Sequence, residues 1–328
     1  MKQTELQIAD FIQSRGTALL MLIVGLAMLL SGSSLLPQSS STGVDSALQG
    51  VGPVIASSYF KAVMAALAGG FFAISVMSLT NRTFAIMQST SNLYVGLFAL
   101  LAASMPGALG MGLDGTLLMA TVLFCLMFMY TTYGRPSSTR RIYLVFTLLS
   151  AGSAIQYAFA LYIPLMLIGC RQMRCFSVRS ILAMLFGLIT PYWIMWGFGL
   201  ITLDRFTAPQ IGWPTLDAVA RYSLPQLLGA AGMMVIAVAT TLYNVVRIFG
   251  QNARTRAING LLALTTLWTI LTAIVDLGHL TVYMPLLAAL TAINLTLYNH
   301  LGQQHRSYIA VALAVLLAIT TFTWNLLG

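Results

Sequence analysis

Few residues in this chain are equipped for chemistry, and they are easily named. Asp276 and His279 stand three apart in Asp276-Leu277-Gly278-His279, at the end of an apolar stretch. A carboxylate and an imidazole at that spacing could relay a proton or supply two ligands to a metal, although two ligands do not complete a metal site. The plainer expectation for them is a hydrogen-bonded pair at a membrane interface. Asn244 and Asn294 lie within apolar segments, where amides commonly join helices. Arg135, Arg140 and Arg141, and then Arg171, Arg174 and Arg179, form two basic groups able to meet lipid phosphates. Three cysteines, Cys125, Cys170 and Cys175, show no CxxC spacing and read as small buried thiols. His300 and His305 share a short gap with Arg306 and read as solvated.

What must position these residues is a membrane-embedded bundle. Hydrophobic residues make up 59% of the chain and charged residues 7%. Soluble domains carry about a quarter charged residues, so there is not enough charge here to cover a water-facing surface. The net charge of +9 does not point to nucleic acid, because the basic residues are scattered over short gaps without interleaved aromatics. Membrane lipids are the expected surroundings, and no nucleic-acid partner is expected.

Apolar stretches of spanning character fall at 17–36, 59–79, 93–109, 115–133, 142–155, 157–170, 180–203, 227–246, 258–275, 281–299 and 309–327. The first is longer than a signal-peptide core and is read as a retained helix, preceded by an interfacial lead-in over 4–14. Residues 142–170 are too long for one crossing and short for two. Charge decides between them. With a break near Gly152–Gln156 and the N-terminus inside, the inner gaps hold Lys2, Arg15, Arg82, Arg135, Arg140, Arg141, Arg171, Arg174, Arg179, Arg247, Arg254, Arg256 and Arg306. The outer gaps hold only Lys61, Arg205 and Arg221. Cationic residues stay on the cytoplasmic side, so this partition favours two short helices over one rod.

The resulting expectation is an all-α, polytopic transmembrane bundle of about eleven spans, N-terminus cytoplasmic and C-terminus outside. It would form a single membrane domain: a helical module over 17–203, an outer loop over 204–226 and a four-helix segment over 227–328. Asp45, Asp114, Asp204, Asp217 and Asp276 all fall on the outer side, an asymmetry that the insertion rule does not require. Gly69-Gly70 and Gly229, Ala230 and Gly232 offer small faces for close helix packing. Pro106, Pro164, Pro191 and Pro285 are candidate kinks, and Trp193, Trp196 and Trp324 are candidate interface anchors.

The order of features over residues 17–200 resembles the GT-C superfamily of membrane glycosyltransferases. A first helix leads to an outer loop with Asp45, and Asn81-Arg82 precedes the third helix, which has Pro106 near its outer end. Asp114 stands just before the next helix, and Arg141 leads into paired short segments (Tyr143 to Gly169). Ile189-Thr190-Pro191-Tyr192-Trp193 follows, before a large outer loop. The stretch from Leu161-Tyr162-Ile163-Pro164 to Trp193 also looks like uncharacterised multi-span proteins of Bacteroidota. The resemblance implies a polyprenyl-phosphate-linked sugar handled at the outer face of a bacterial inner membrane. It implies Asp45 as base or ligand to a divalent metal ion, Asp114 in support, and Arg205 or Arg221 binding phosphate. The chain departs from the pattern in its single loop acid, in Gln156 where a basic residue often stands, and in lacking the outer domain that commonly follows. A non-catalytic subunit of an envelope complex and a small-solute or lipid transporter are the alternatives. A reporter fused at Ser138 is expected to read as cytoplasmic and one at Pro214 as external; the same side for both contradicts the eleven-span topology.

Overall fold

The computed structural model describes residues 14–33, 59–84, 86, 92–105, 113–135, 138–199, 211–301 and 308–327. These form twelve α-helices and no strand among the described residues. They are α1 (Arg15–Ser33), α2 (Tyr59–Phe84), α3 (Leu93–Ala103), α4 (Leu113–Thr131), α5 (Thr139–Ile155), α6 (Tyr162–Gln172), α7 (Val178–Gly197), α8 (Leu216–Ala220), α9 (Leu224–Ile248), α10 (Ala253–Val275), α11 (Leu280–Leu301) and α12 (Tyr308–Leu327). Six of them contain stretches long and apolar enough to cross a membrane: 114–131, 178–197, 224–248, 253–275, 277–301 and 308–326. Of the others, α2 is the longest helix at 26 residues, and α3, at 11 residues, is about 16 Å long. Length and composition therefore support a membrane protein without fixing the number of crossings.

The buried interior is a cluster of large apolar side chains, and two helices also turn large apolar residues outward. In α7 the buried residues are Ser180, Met184, Gly187 and Pro191, while Ile181, Leu185, Phe186, Ile189 and Trp193 are exposed. Small and polar groups turned inward, with large apolar groups outward, suit a hydrocarbon solvent. In α9, Gly229, Ala230, Ala237, Thr241 and Asn244 are buried and Leu228, Val235, Leu242 and Val246 exposed. The core is α11, whose spanning stretch is 94% buried, so it takes its neighbours on every side. The expected amide joints are present: Asn244 Nδ2 donates to Asn294 O at 2.8 Å, and Asn294 Nδ2 donates to Thr266 Oγ1 at 2.9 Å. Pro191 and Pro285 lie inside helices, whereas Pro164 sits in the first turn of α6, where a missing N–H disturbs nothing. Pro106 lies outside the described residues.

Residues 139–172 turn back on themselves. Gln156 is extended (φ −148°, ψ 131°) and breaks α5 from α6. Arg141 Nη1 donates to Thr131 O at 2.8 Å, and Gly134 N donates to Met173 O at 3.0 Å, so the start of α5 and the end of α6 adjoin the same link after α4. Helix α6 then runs antiparallel to α10, with Tyr162 Oη bonded to Thr269 Oγ1 (3.1 Å) and Gln172 Nε2 to Ala257 O (3.2 Å). The expected break near Gly152–Gln156 is thus where the chain reverses.

One end of the bundle gathers the arginines. The contacts at 131–141, 134–173 and 172–257 join three arginine-bearing links, and Arg254 stands over the Phe84 ring at 5.8 Å, two residues beyond Arg82. Arg247 covers the Tyr243 ring (5.3 Å) at the neighbouring end of α9. All three cysteines are free and buried.

The α5–α7 pair is the tightest of these joints. Ser150 Oγ donates to Leu188 O (2.6 Å), Ser153 Oγ bonds Tyr192 Oη (2.8 Å), and a Cβ on Gly187 would meet Tyr143 O at 2.7 Å. Gly187→Val is expected to push the helices apart, at a cost of about 1–3 kcal/mol. Thermal unfolding in detergent checks it, with Gly70→Val, where a Cβ meets nothing within 4 Å, as the tolerated control.

Candidate functional site

The end opposite the arginines is organised by a single carboxylate. Asp276 follows α10 and is fully buried, the only charged side chain so placed among the described residues. An isolated buried carboxylate is strongly unfavourable, so its partners decide whether it can stay ionised. Its Oδ1 accepts from Gly212 N–H (2.7 Å) and from His279 Nδ1 (2.9 Å). Its Oδ2 accepts from Tyr283 Oη (2.7 Å) and, by a short bond, from Tyr157 Oη. Burial pushes the carboxyl up, but the bonds from His279, Tyr157, Tyr283 and the Gly212 N–H outweigh it and hold Asp276 below its ordinary value.

Two of these donors, His279 and Tyr283, are local, and two come from distant parts of the chain. Tyr157 is brought by the reversal between α5 and α6, within a 3-10 turn over Tyr157–Phe159. Gly212 comes from the segment before α8, where its backbone lies against Gly278; a Cβ at Gly212 would meet Gly278 Cα at 2.8 Å and Asp276 Oδ1 at 2.9 Å. His279 ends a 3-10 turn over Leu277–His279, and Tyr283 stands one turn further along in α11. Tyr222, just before α9, closes the group: its hydroxyl donates to Gly278 O (3.0 Å) and accepts from Leu280 N–H (3.1 Å).

The geometry assigns the imidazole proton. A carboxylate only accepts, so His279 Nδ1, at 2.9 Å from Asp276 Oδ1 and 2.9 Å from Tyr157 Oη, carries a hydrogen. The side chain of His279 is 34% exposed, and no group among the described residues bonds Nε2. Tyr157 packs edge-on against the ring, with centroids 5.6 Å apart, and fixes its plane. A buried acid bonded to a partly exposed imidazole is an arrangement that can accept a proton from a hydroxyl and stabilise the imidazolium that results.

The residues singled out by resemblance divide into two sets. Asp114, half-buried in the first turn of α4, and the exposed Arg221 lie at the same end as Asp276. Gly115 lies against the first turn of α11, where a Cβ would meet Thr281 O at 3.0 Å, and Arg221 directly precedes the Tyr222 clasp. Asp45 and Arg205 lie outside the described residues. Among the described residues no three His, Cys, Asp or Glu side chains gather as metal ligands. The expected hydrogen bond between Asp276 and His279 is present, at the junction of α10 and α11. Asp276 is buried and held from four segments, and Tyr157, Tyr222, Tyr283 and Gly212 were not foreseen. The available signal was positional: Tyr157 follows the break on the outer side, and Tyr222 closes the outer loop.

No family model matches this chain, and neither a curated protein nor a solved structure matches it.

Because the folded-state value of Asp276 lies below the unfolded one, its contribution is present in full above the ordinary carboxylate value of 3.8 and is lost as pH falls through the lowered value. Thermal stability of the purified protein is therefore expected to drop in acid. Asp276→Asn should lose about 3 kcal/mol at neutral pH and show a flatter acid limb. An Asn variant as stable as the parent at pH 7 would contradict this account of the site.

Proposed function

We propose that this chain is an integral membrane protein that crosses the bilayer about eleven times, with its arginine end in the cytoplasm, and acts at the opposite end through His279. The observation that carries the reading is that imidazole, with Nδ1 on the buried Asp276 and its side chain partly exposed. The alternating direction of the helices and the gathering of arginines at one end support the topology.

The reaction class follows from the resemblance to the GT-C superfamily: transfer of a sugar from a polyprenyl phosphate to a hydroxyl at the outer face of a bacterial inner membrane. In this scheme His279 Nε2 takes the acceptor's proton as the acceptor oxygen bonds to the sugar carbon. The bond from that carbon to the phosphate oxygen breaks, and polyprenyl phosphate leaves. In the same scheme the released phosphate is met by the planar fork of Arg221, which is exposed and directly precedes Tyr222. Asp276 holds the imidazole and balances its charge. Asp114 adds a carboxylate at the same end.

A second reading has its own support. Asp276 spends both oxygens on donors from four segments, which is the pattern of a structural clasp. On that reading the chain is a non-catalytic subunit of an envelope complex. Reconstituted protein supplied with a polyprenyl-phosphate sugar and a hydroxyl acceptor separates the two. Catalysis through His279 predicts that His279→Ala, measured on protein that remains folded, lowers turnover about 100-fold or more; loss of a donor to Asp276 also lowers its thermal stability. A variant that keeps full turnover, or a wild-type protein that transfers nothing, favours the clasp.

A further inference from the structure

Helix α6 closes at the arginine end in a turn that brings two thiols together. Cys175 N–H donates to Cys170 O at 3.2 Å and Arg174 N–H to Arg171 O at 3.1 Å, while Arg174 takes the left-handed conformation (φ 55°). In a helix close of this kind the side chains at the two ends of the outer hydrogen bond meet, ordinarily as an apolar pair. Here both are cysteines. Cys170 and Cys175 are fully buried and hydrogen-bonded to each other, and Cys175 Sγ lies 3.3 Å from Cys170 O. Thr132, in the link after α4, brings its hydroxyl to 3.6 Å from Cys175 Sγ. Among the described residues no third His, Cys, Asp or Glu joins them, and two thiols alone do not complete a metal site.

The two thiols differ. Hydrogen bonds from Cys170 and Thr132 draw the Cys175 thiol below its ordinary value against the effect of burial, while the contact with Cys175, together with burial, pushes Cys170 up. Cys175 is therefore the readier nucleophile. Its neighbours in sequence, Arg174 and Phe176, are both exposed, so it lies directly beneath the surface of the link. Cys125, inside α4, has no such setting; its Sγ donates to Val145 O at 3.8 Å.

We propose that Cys170 and Cys175 are a redox pair that forms a reversible disulfide on reaction with a small hydroperoxide. The Cys175 thiolate attacks one peroxide oxygen, the O–O bond breaks, and the other oxygen leaves as water with the proton the thiol lost. The product is a sulfenic acid on Cys175. Cys170 sulfur then attacks Cys175 Sγ, the S–O bond breaks, and a second water leaves with the proton of Cys170. Two thiols and one hydrogen peroxide thus become a disulfide and two waters, and an added dithiol reverses the change by exchange. Burial selects the class of oxidant, since hydrogen peroxide is little larger than water and a maleimide is not. The pair is separate from His279 and stands whether or not the chain is a transferase.

The purified full chain in detergent, treated with hydrogen peroxide near neutral pH, then denatured, alkylated with N-ethylmaleimide and measured by mass spectrometry, tests it. Before treatment all three free thiols should alkylate. After it only Cys125 is expected to, with peptide mapping joining Cys170 to Cys175 and dithiothreitol restoring both. The pair should oxidise at least about tenfold faster than Cys125. Cys125→Ser should form the same disulfide. Cys175→Ser, shown to be folded by its thermal unfolding, should leave Cys170 alkylatable, and Cys170→Ser should give a sulfenic acid at Cys175 that dimedone captures. Three alkylatable thiols after treatment, disulfides only between copies of the chain, or Cys170 oxidised as fast in Cys175→Ser as in the parent overturns the pair.

Discussion

Guanidinium groups do not cross hydrocarbon readily, and the shape of this protein follows from keeping them at one end. Three arginine-bearing links are tied together there by the contacts of Arg141 with Thr131, Gly134 with Met173 and Gln172 with Ala257. For the links after α4 and after α6 to lie together, the chain between them must go out and return. The reversal at Gln156 does this. Without it the helices that follow would enter from the other side, and Asp276 would no longer share an end with Asp114.

The same reversal builds the opposite end. Its tip delivers Tyr157 to Asp276, while Gly212, His279 and Tyr283 converge on the same carboxylate. In a bundle whose exterior is apolar, this density of donors lets a carboxylate remain ionised while fully buried. What it leaves on the surface is an imidazole with its direction already set. The two ends thus divide the work. Exposed cations mark one, and one buried anion bonded to a histidine marks the other.

Much of this was legible in the sequence. The arginine spacing alone asked for a break in 142–170, and hydropathy identified the apolar helices. Composition gave the solvent, and α7 shows why: its large apolar residues face outward, a pattern that needs lipid rather than water. The site was less legible for a definite reason. The partners of Asp276 lie 64 and 119 positions away at Gly212 and Tyr157, and no local pattern signals a backbone N–H or a phenol as a donor to a particular acid. A carboxylate at a helix end reads as interfacial because most are. Only the approach of Gly212 to Gly278 and the arrival of Tyr157 seal it in. The number of membrane crossings is a matter of length, and short helices such as α3 and α6 leave it to experiment.

Sided labelling of single cysteines in oriented proteoliposomes tests the reversal most directly, since the native thiols are buried. Arg140→Cys and Arg171→Cys should react with an impermeant maleimide from one side, and Ala160→Cys, at the tip, only from the other. Labelling of positions 140 and 171 from opposite sides would mean that residues 139–172 cross once, and the account of both ends would be contradicted.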